Sequence, residues 1–447
     1  MKLRLAFAVL LGTTTLVLSA SAQQPWIQDR RLGEGAGIRT GNLELHPSVA
    51  GEFGYDSNYF QRGDGDPDPI VDTMVFRVTP SLTLSTLGKA RQGGDGQGTA
   101  PPLLNFDLGA FATYNAFVPL DDTDEFDDRE KLSGGINASL ELFPKRPIMW
   151  DVNAGYRRQV DPSDLATGET DFDRHTLRAG TGLTWSPGGG LFNWRVGYGF
   201  TSTYFSQDAF DTLNNAQHVI ETRGSWKFLP RTSAIYDGQY RIIRYADSDT
   251  EQVDGEVIQS RVGLSGLLTN RFSFRVLAGW AASFYDSDQN FDGPVGNAEL
   301  KFFLTPNPKV HEGSAPVGLS SIAVGYDRAY AHSYLGPFYQ RDQGYLTFEY
   351  FIGGVIVTSL RGQVARNSYP EFDVANGMGG NTPVNVHETR LGGTLFAEYR
   401  VASMVGINAT FEVDRNIGGG DNPIPIVPPD DLDYTRFQAF LGARVFW

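Results

Sequence analysis

The chain has no cysteine among its 447 residues. That excludes disulfides, thiol chemistry and a lipid-modified N-terminal cysteine. Beyond its N-terminal leader it also lacks any apolar run of eighteen residues or more, the length a helix needs to cross a bilayer. Histidine is scarce: His46, His175, His218, His311, His332 and His387 are scattered without ligand spacing. No G-x-S-x-G, no H-E-x-x-H and no glycine-rich phosphate loop occurs. Carboxylates abound, but nothing holds two at the set separation a glycosidase needs. No catalytic residue, cofactor or metal is expected from this inventory. Cations fall short of acids, 37 Lys and Arg against 52 Asp and Glu, for a net charge of −15. Phosphate backbones need a basic stripe, so nucleic acid is not an expected partner.

What is present is alternation. In "TRFQAFLGARVFW", at the C-terminus, every second residue back from Trp447 is apolar: Val445, Ala443, Leu441, Ala439 and Phe437. Between them lie Phe446, Arg444, Gly442, Phe440, Gln438 and Arg436, a more polar set. Side chains alternate across a strand, so this segment is a strand with one oily and one wetter face. The pattern returns at 43–55, 74–84, 150–156, 192–200, 272–284, 391–399 and 407–413. Counting all such runs gives about eighteen (16 to 18), each roughly ten to fourteen residues, long enough to cross a bilayer when tilted. At the other end, Lys2 and Arg4 precede an apolar stretch over 5–18 and the small residues Ala20-Ser21-Ala22. That is the pattern of a secretory signal peptide over residues 1–22. A short periplasmic segment, 23–42, and a barrel, 43–447, are expected to follow.

Connections come in two kinds. Short ones, "FPKRP", "SPGGG", "LPRT", "LTNR", "IGG" and "VASM", alternate with longer acidic ones such as "QRGDGDPDP", "DDTDEFDD", "DPSDLATGETDFD" and "DNPIPIVPPDDLD". Short periplasmic turns opposite longer extracellular loops define an outer-membrane barrel. Two insertions on the short-turn side, 88–102 and 305–318, break the rule. The expected fold is therefore all-β: a transmembrane antiparallel β-barrel in the outer membrane of a Gram-negative bacterium. Aromatics at strand ends, Tyr55, Tyr114, Trp150, Tyr156, Trp185, Tyr204, Trp226, Tyr285, Tyr326 and Trp447, are expected to form girdles at headgroup level.

The opposite parity gives the expected pore lining. Its cations are Arg77, Arg157, Arg178, Arg195, Arg223, Arg261, Arg275, Arg361, Arg390, Arg436 and Arg444, and its acids include Glu349, Glu388, Glu398 and Glu412. Eighteen strands about 4.8 Å apart and tilted about 40° would enclose a backbone cylinder roughly 35 Å across. "DSDQNFDG" and "DSDTEQVDG" imitate calcium loops, but Phe291 and Gln252 stand where an EF-hand needs glycine. The tripeptide Arg62-Gly63-Asp64 matches an adhesion motif by chance in a loop rich in Gly and Asp.

"LHPSVAGEFGYDSNYF" at 45–60, ending in Tyr55-Asp56-Ser57-Asn58, resembles the opening of the β-barrel porin 2 type of outer-membrane protein. Tyr285-Asp286-Ser287-Asp288 repeats the motif. The terminal Trp447 is similar to the aromatic by which the barrel assembly machinery recognises such proteins. The resemblance implies an exopolysaccharide-export barrel working with a separate periplasmic polysaccharide-export protein, in contact with outer-membrane lipid and lipopolysaccharide. Three readings stay open, with export foremost: a polysaccharide conduit, a diffusion porin for small solutes or oligosaccharides narrowed by a loop such as 367–384, and a structural or adhesive barrel.

Overall fold

The computed structural model describes residues 37–63, 68–86, 103–121, 123, 125–127, 131–160, 173–187, 190–246, 253–286, 289–304, 320–333, 337–352, 355–375, 381–384, 386–420 and 433–447. The leader and the insertions at 88–102 and 305–318 lie outside them. In chain order the strands are β1 (Ile38–Thr40), β2 (Leu43–Asp56), β3 (Thr73–Thr86), β4 (Leu104–Pro119), β5 (Leu132–Leu142), β6 (Ile148–Gln159) and β7 (Arg174–Trp185). They continue as β8 (Phe192–Phe205), β9 (Asn215–Leu229), β10 (Thr232–Tyr245), β11 (Gly255–Leu267), β12 (Phe272–Tyr285), β13 (Asp292–Phe303) and β14 (Ser321–His332). The last are β15 (Phe338–Ile352), β16 (Ile356–Ser368), β17 (Phe372–Ala375), β18 (Asn381–Val384), β19 (Val386–Ala402), β20 (Val405–Gly420) and β21 (Tyr434–Phe446).

Eighteen of these, β2–β16 and β19–β21, pair antiparallel with their neighbours, and β21 pairs back onto β2 to close a barrel. The closing register sets Ser48 opposite Phe446 and Asp56 opposite Gln438. Barrel strands run from 11 residues in β5 to 17 in β19, longer at the upper end than the alternation predicts. β1 is a three-residue addition beside the start of β2, and β17–β18 is a hairpin within the loop before β19. Pro80 has no N–H to give, and the β3–β4 ladder breaks between Val78–Tyr114 and Ser81–Phe111. The Thr79 and Thr113 hydroxyls bridge that break at 2.9 Å.

The period-two pattern sets the two faces. Along β21 buried and exposed residues alternate without exception. Leu441 is 64% exposed and Val262 62%, while Arg436 and Arg444 are 3% exposed. The exposed apolar set, including Val49, Phe53, Leu183, Ile220, Val276, Val324 and Phe411, recurs on strand after strand and makes a band around the barrel. Closure leaves no barrel strand with an open edge, the condition for sheet to sit in hydrocarbon. A closed antiparallel barrel with an apolar outer band is the build of outer-membrane proteins. The protein is an outer-membrane β-barrel of a Gram-negative bacterium. Both ends of the described chain lie with the short turns, on the periplasmic side.

Candidate functional site

Inward-facing charges organise into two groups. The first is a rail around the wall from β6 to β11. Asp151 takes two hydrogen bonds from Arg195, the shorter 2.7 Å, and Arg195 also bonds Glu221. Glu221 accepts from Arg223 at 2.8 Å. Arg223 lies 3.6 Å from Asp237, which in turn accepts from Arg261 at 2.7 Å. Alternating signs let each charge be answered from both sides, so none is left alone away from bulk water. Arg195 lies flat because Gly182 and Gly197 face it. A Cβ at Gly182 would fall 2.3 Å from its guanidinium, and one at Gly197 2.6 Å.

The second group closes the seam. Arg436 of β21 binds Asp56 of β2 in a bidentate pair, 2.9 and 2.5 Å, with Gln438 adding a bond at 2.7 Å. Arg77 binds Glu52 at 2.7 Å and covers the Phe440 ring at 3.8 Å. Gly54 makes room for that ring, since a Cβ there would clash with it at 2.1 Å. Arg444 binds Glu398 in a bidentate pair, and Arg390 binds Asp414 likewise. At the foot of the seam His46 Nδ1 lies 2.9 Å from the Trp447 carbonyl, and the Trp447 amide donates to Pro47 at 3.1 Å.

The motif at 55–58 has a physical role here. Asp56 is fully buried in the seam, Tyr55 donates its hydroxyl to Asp72 at 3.1 Å, and Ser57 exchanges hydrogen bonds with Phe437. Asn58 donates to the Arg62 carbonyl at 2.7 Å and accepts from its amide at 3.0 Å. This turns the first loop inward. Tyr59 and Phe60 pack with Phe126 and with Phe117, which has the same parity as the buried Thr113 and Asn115 of β4. Arg62 is 5% exposed and clamps Glu125 in a bidentate pair, so it is not displayed as an adhesion motif requires. Of the second copy of the motif, Tyr285 and Asp286 lie among the described residues. Tyr285 has the inward parity, is buried, and joins Phe291, Phe338 and Tyr330 in an aromatic cluster. That corrects its expected place in the girdle: the outward position at the end of β12 belongs to Phe284, which is 59% exposed. Beside the cluster lies a cavity of about 30 Å³, lined by Gln239, Arg241, Gln259 and Tyr285 among others. That is room for one water.

Among the other residues singled out from the sequence, Glu388 is buried and accepts from Tyr369 at 3.2 Å. Glu412 stands opposite Gln438 and Glu349 opposite Ser321, both half-buried. Arg157 and Arg361 are half-buried on β6 and β16. Arg275 faces Glu299 in register, yet its Nε has no hydrogen-bond partner. Arg178 is exposed and no carboxylate meets it among the described residues. Trp150, Tyr156, Trp185, Trp226 and Trp447 are exposed, and Tyr55 is half-buried. Glu52 and Asp237 are not in the lining set expected from the sequence, and Asp56 enters there only as a motif residue. Each sits at an inward parity position, and that parity was the signal available.

Within the expected loop 367–384, β17 and β18 pair with Phe372 opposite Val384, and Gln289, in the connection after β12, donates to the Glu371 carbonyl just before β17. Among the described residues no group of three or more His, Asp or Glu is placed to hold a metal. No helix among them is long and apolar enough to cross a membrane.

No protein-family model and no curated protein matches the chain. The resemblance of residues 45–60 to the β-barrel porin 2 type rests on its short motif alone. Among solved structures the chain is similar to OccK3 of Pseudomonas aeruginosa, at 12% identity over 90% of this chain and 96% of that one, with a TM-score of 0.43. It is similar to OccAB4 of Acinetobacter baumannii, at 12% identity over 90% and 98%, TM-score 0.43. The outer membrane protein OpdK of Pseudomonas aeruginosa matches at 9% identity over 90% and 99%, also with a TM-score of 0.43.

Proposed function

We propose that this barrel is a passive diffusion pore for small polar solutes. The observation that carries the reading is the first loop. Asn58 and the Arg62–Glu125 clamp hold Tyr59 and Phe60 against the inner face of β4, which narrows the loop-side mouth. A barrel of eighteen strands is otherwise roughly 35 Å across at the backbone, wide enough for a water-filled lumen. A conduit for a polysaccharide calls for an unobstructed mouth, so the diffusion pore is preferred to the export reading. Charged side chains at the accessible inward positions, Arg178, Arg195 and Arg223 among them, suit a wall wetted by water and solute. The exposed aromatics from Trp150 to Trp447 suit the headgroup level.

The test is conductance and solute flux in reconstituted bilayers. Purified barrel should open ion-conducting channels, and proteoliposomes should swell in disaccharides but not in long dextrans. A silent barrel overturns the pore. Passage of long polymer restores the conduit reading, which deletion of the gene would then check by loss of surface polysaccharide.

A further inference from the structure

Five strands running toward the loop end carry an arginine on the loop-side half of their outward face: Arg158 on β6, Arg244 on β10, Arg328 on β14, Arg366 on β16 and Arg415 on β20. Each follows outward apolar residues of its own strand, Val364 before Arg366 and Val413 before Arg415, and so stands near the loop-side edge of the apolar band. Three are answered by acids. Arg158 meets Asp173 at 2.5 Å, Arg244 meets Asp254 at 3.6 Å and Arg328 meets Asp342 at 3.7 Å.

Arg366 and Arg415 are not answered among the described residues. Both are exposed. Arg415 lies between Val413 and Ile417 on its strand, opposite Thr435 on β21 and Leu391 on β19, with no acid facing it. Arg366 stands opposite Asp342 and Thr389. The Asp342 carboxylate is already engaged by Tyr326, Gln340 and Arg328. A guanidinium facing lipid is unfavourable away from the interface, and it finds its counter-charge in an anion at headgroup level.

The two arginines flank one strand. Arg366 pairs with Thr389 and Arg415 with Leu391, two residues apart along β19. Two strand spacings and two residues of rise put their backbones about 12 Å apart, within reach of one anion placed between two extended side chains. We propose that Arg366 and Arg415 form a lipid-phosphate site on the outer rim of β16–β20, occupied by a phosphorylated headgroup of the outer-leaflet lipopolysaccharide. Planar guanidiniums match phosphate oxygens in bidentate geometry, and the apolar Val364 and Val413, next below them on their own strands, receive the acyl chains beside Leu391.

The test uses the full-length barrel in detergent, titrated with diphosphorylated lipid A or with the same lipid stripped of its phosphates. Wild type should bind the phosphorylated lipid roughly tenfold more tightly than the stripped one. R366Q/R415Q should lose that preference while unfolding at the wild-type temperature in detergent alone. R244Q, which removes an arginine already paired on a distant strand, should keep it. R366K/R415K, which retains charge without the planar fork, should fall between. Inorganic phosphate alone should not displace the lipid. A wild type without the preference, or a double glutamine variant that retains it, overturns the site. Should the glutamine variant fail to fold, a lysine variant indistinguishable from wild type overturns it as well.

Discussion

At the scale of single residues, Asp56 and Arg436 decide whether the barrel closes cleanly. Their side chains are 1% and 4% exposed and lie 380 positions apart in the chain. Removing one member of a buried pair strands the other, at a cost of about 3–5 kcal/mol. Asp56→Asn is expected to destabilise the barrel by about that much in urea unfolding from lipid vesicles. Asp56→Asn combined with Arg436→Gln should cost clearly less than the sum of the two single changes. Additive costs would mean that the pair is not coupled. Outside the barrel wall, Asp173 is a second informative carboxylate. Burial pushes its pKa up, but hydrogen bonds from Arg158 and the neighbouring positive charge outweigh this and hold it below the usual carboxylate range. With the folded pKa depressed, its stabilising contribution is present above the unfolded value near 4 and is lost as pH falls through the folded value. Thermal stability of wild type should therefore drop more steeply below about pH 4 than that of Asp173→Asn. Parallel curves would count against it.

At the scale of strands, the faces are set by a period of two, and a change of parity reverses what a residue meets. Leu441 and its neighbour Gly442 illustrate this: one belongs to the exposed band, while the other faces Glu52 and Asn408. Leu441→Arg is expected to cost about 2–4 kcal/mol in the same vesicle unfolding, as for a cation near mid-bilayer. A loss under about half a kcal/mol would place that position outside the hydrocarbon. Alternation was legible from the sequence for most strands, from Leu43 to Trp447. It erred at Tyr285, because a strand-end aromatic was read by its chemistry when its parity was the better guide. The inward Glu52 escaped notice beside the glycines and aromatics of β2, and Asp56 stood out only as a motif residue, although the same parity marks both as lining.

At the scale of the whole molecule, the proposed pore makes the first loop the element to test at the mouth. Tyr59 sits 5.0 Å from Phe117 and 5.2 Å from Phe126, ring centre to ring centre, under the Arg62–Glu125 clamp. Tyr59→Ala with Arg62→Ala should release the loop and raise single-channel conductance in planar bilayers, with the barrel's heat-modified gel mobility unchanged. An unaltered conductance would show that the narrowest point of the lumen lies elsewhere.

The sequence by itself determined the fold class, the strand number, the facing of most side chains and the division between short turns and long loops. Each of these follows from local alternation and turn chemistry, which need no knowledge of distant residues. Only the tertiary structure decided which charge meets which. The Asp151-to-Arg261 rail and the Asp56–Arg436 seam depend on register and closure between strands that alternation leaves independent. It also decided how the first loop is tied down, because that requires Asn58, Arg62 and Glu125 to meet across two connections. Side-chain parity is a property of each strand alone, whereas an ion pair or a folded-in loop is a property of neighbours that only closure of the barrel supplies.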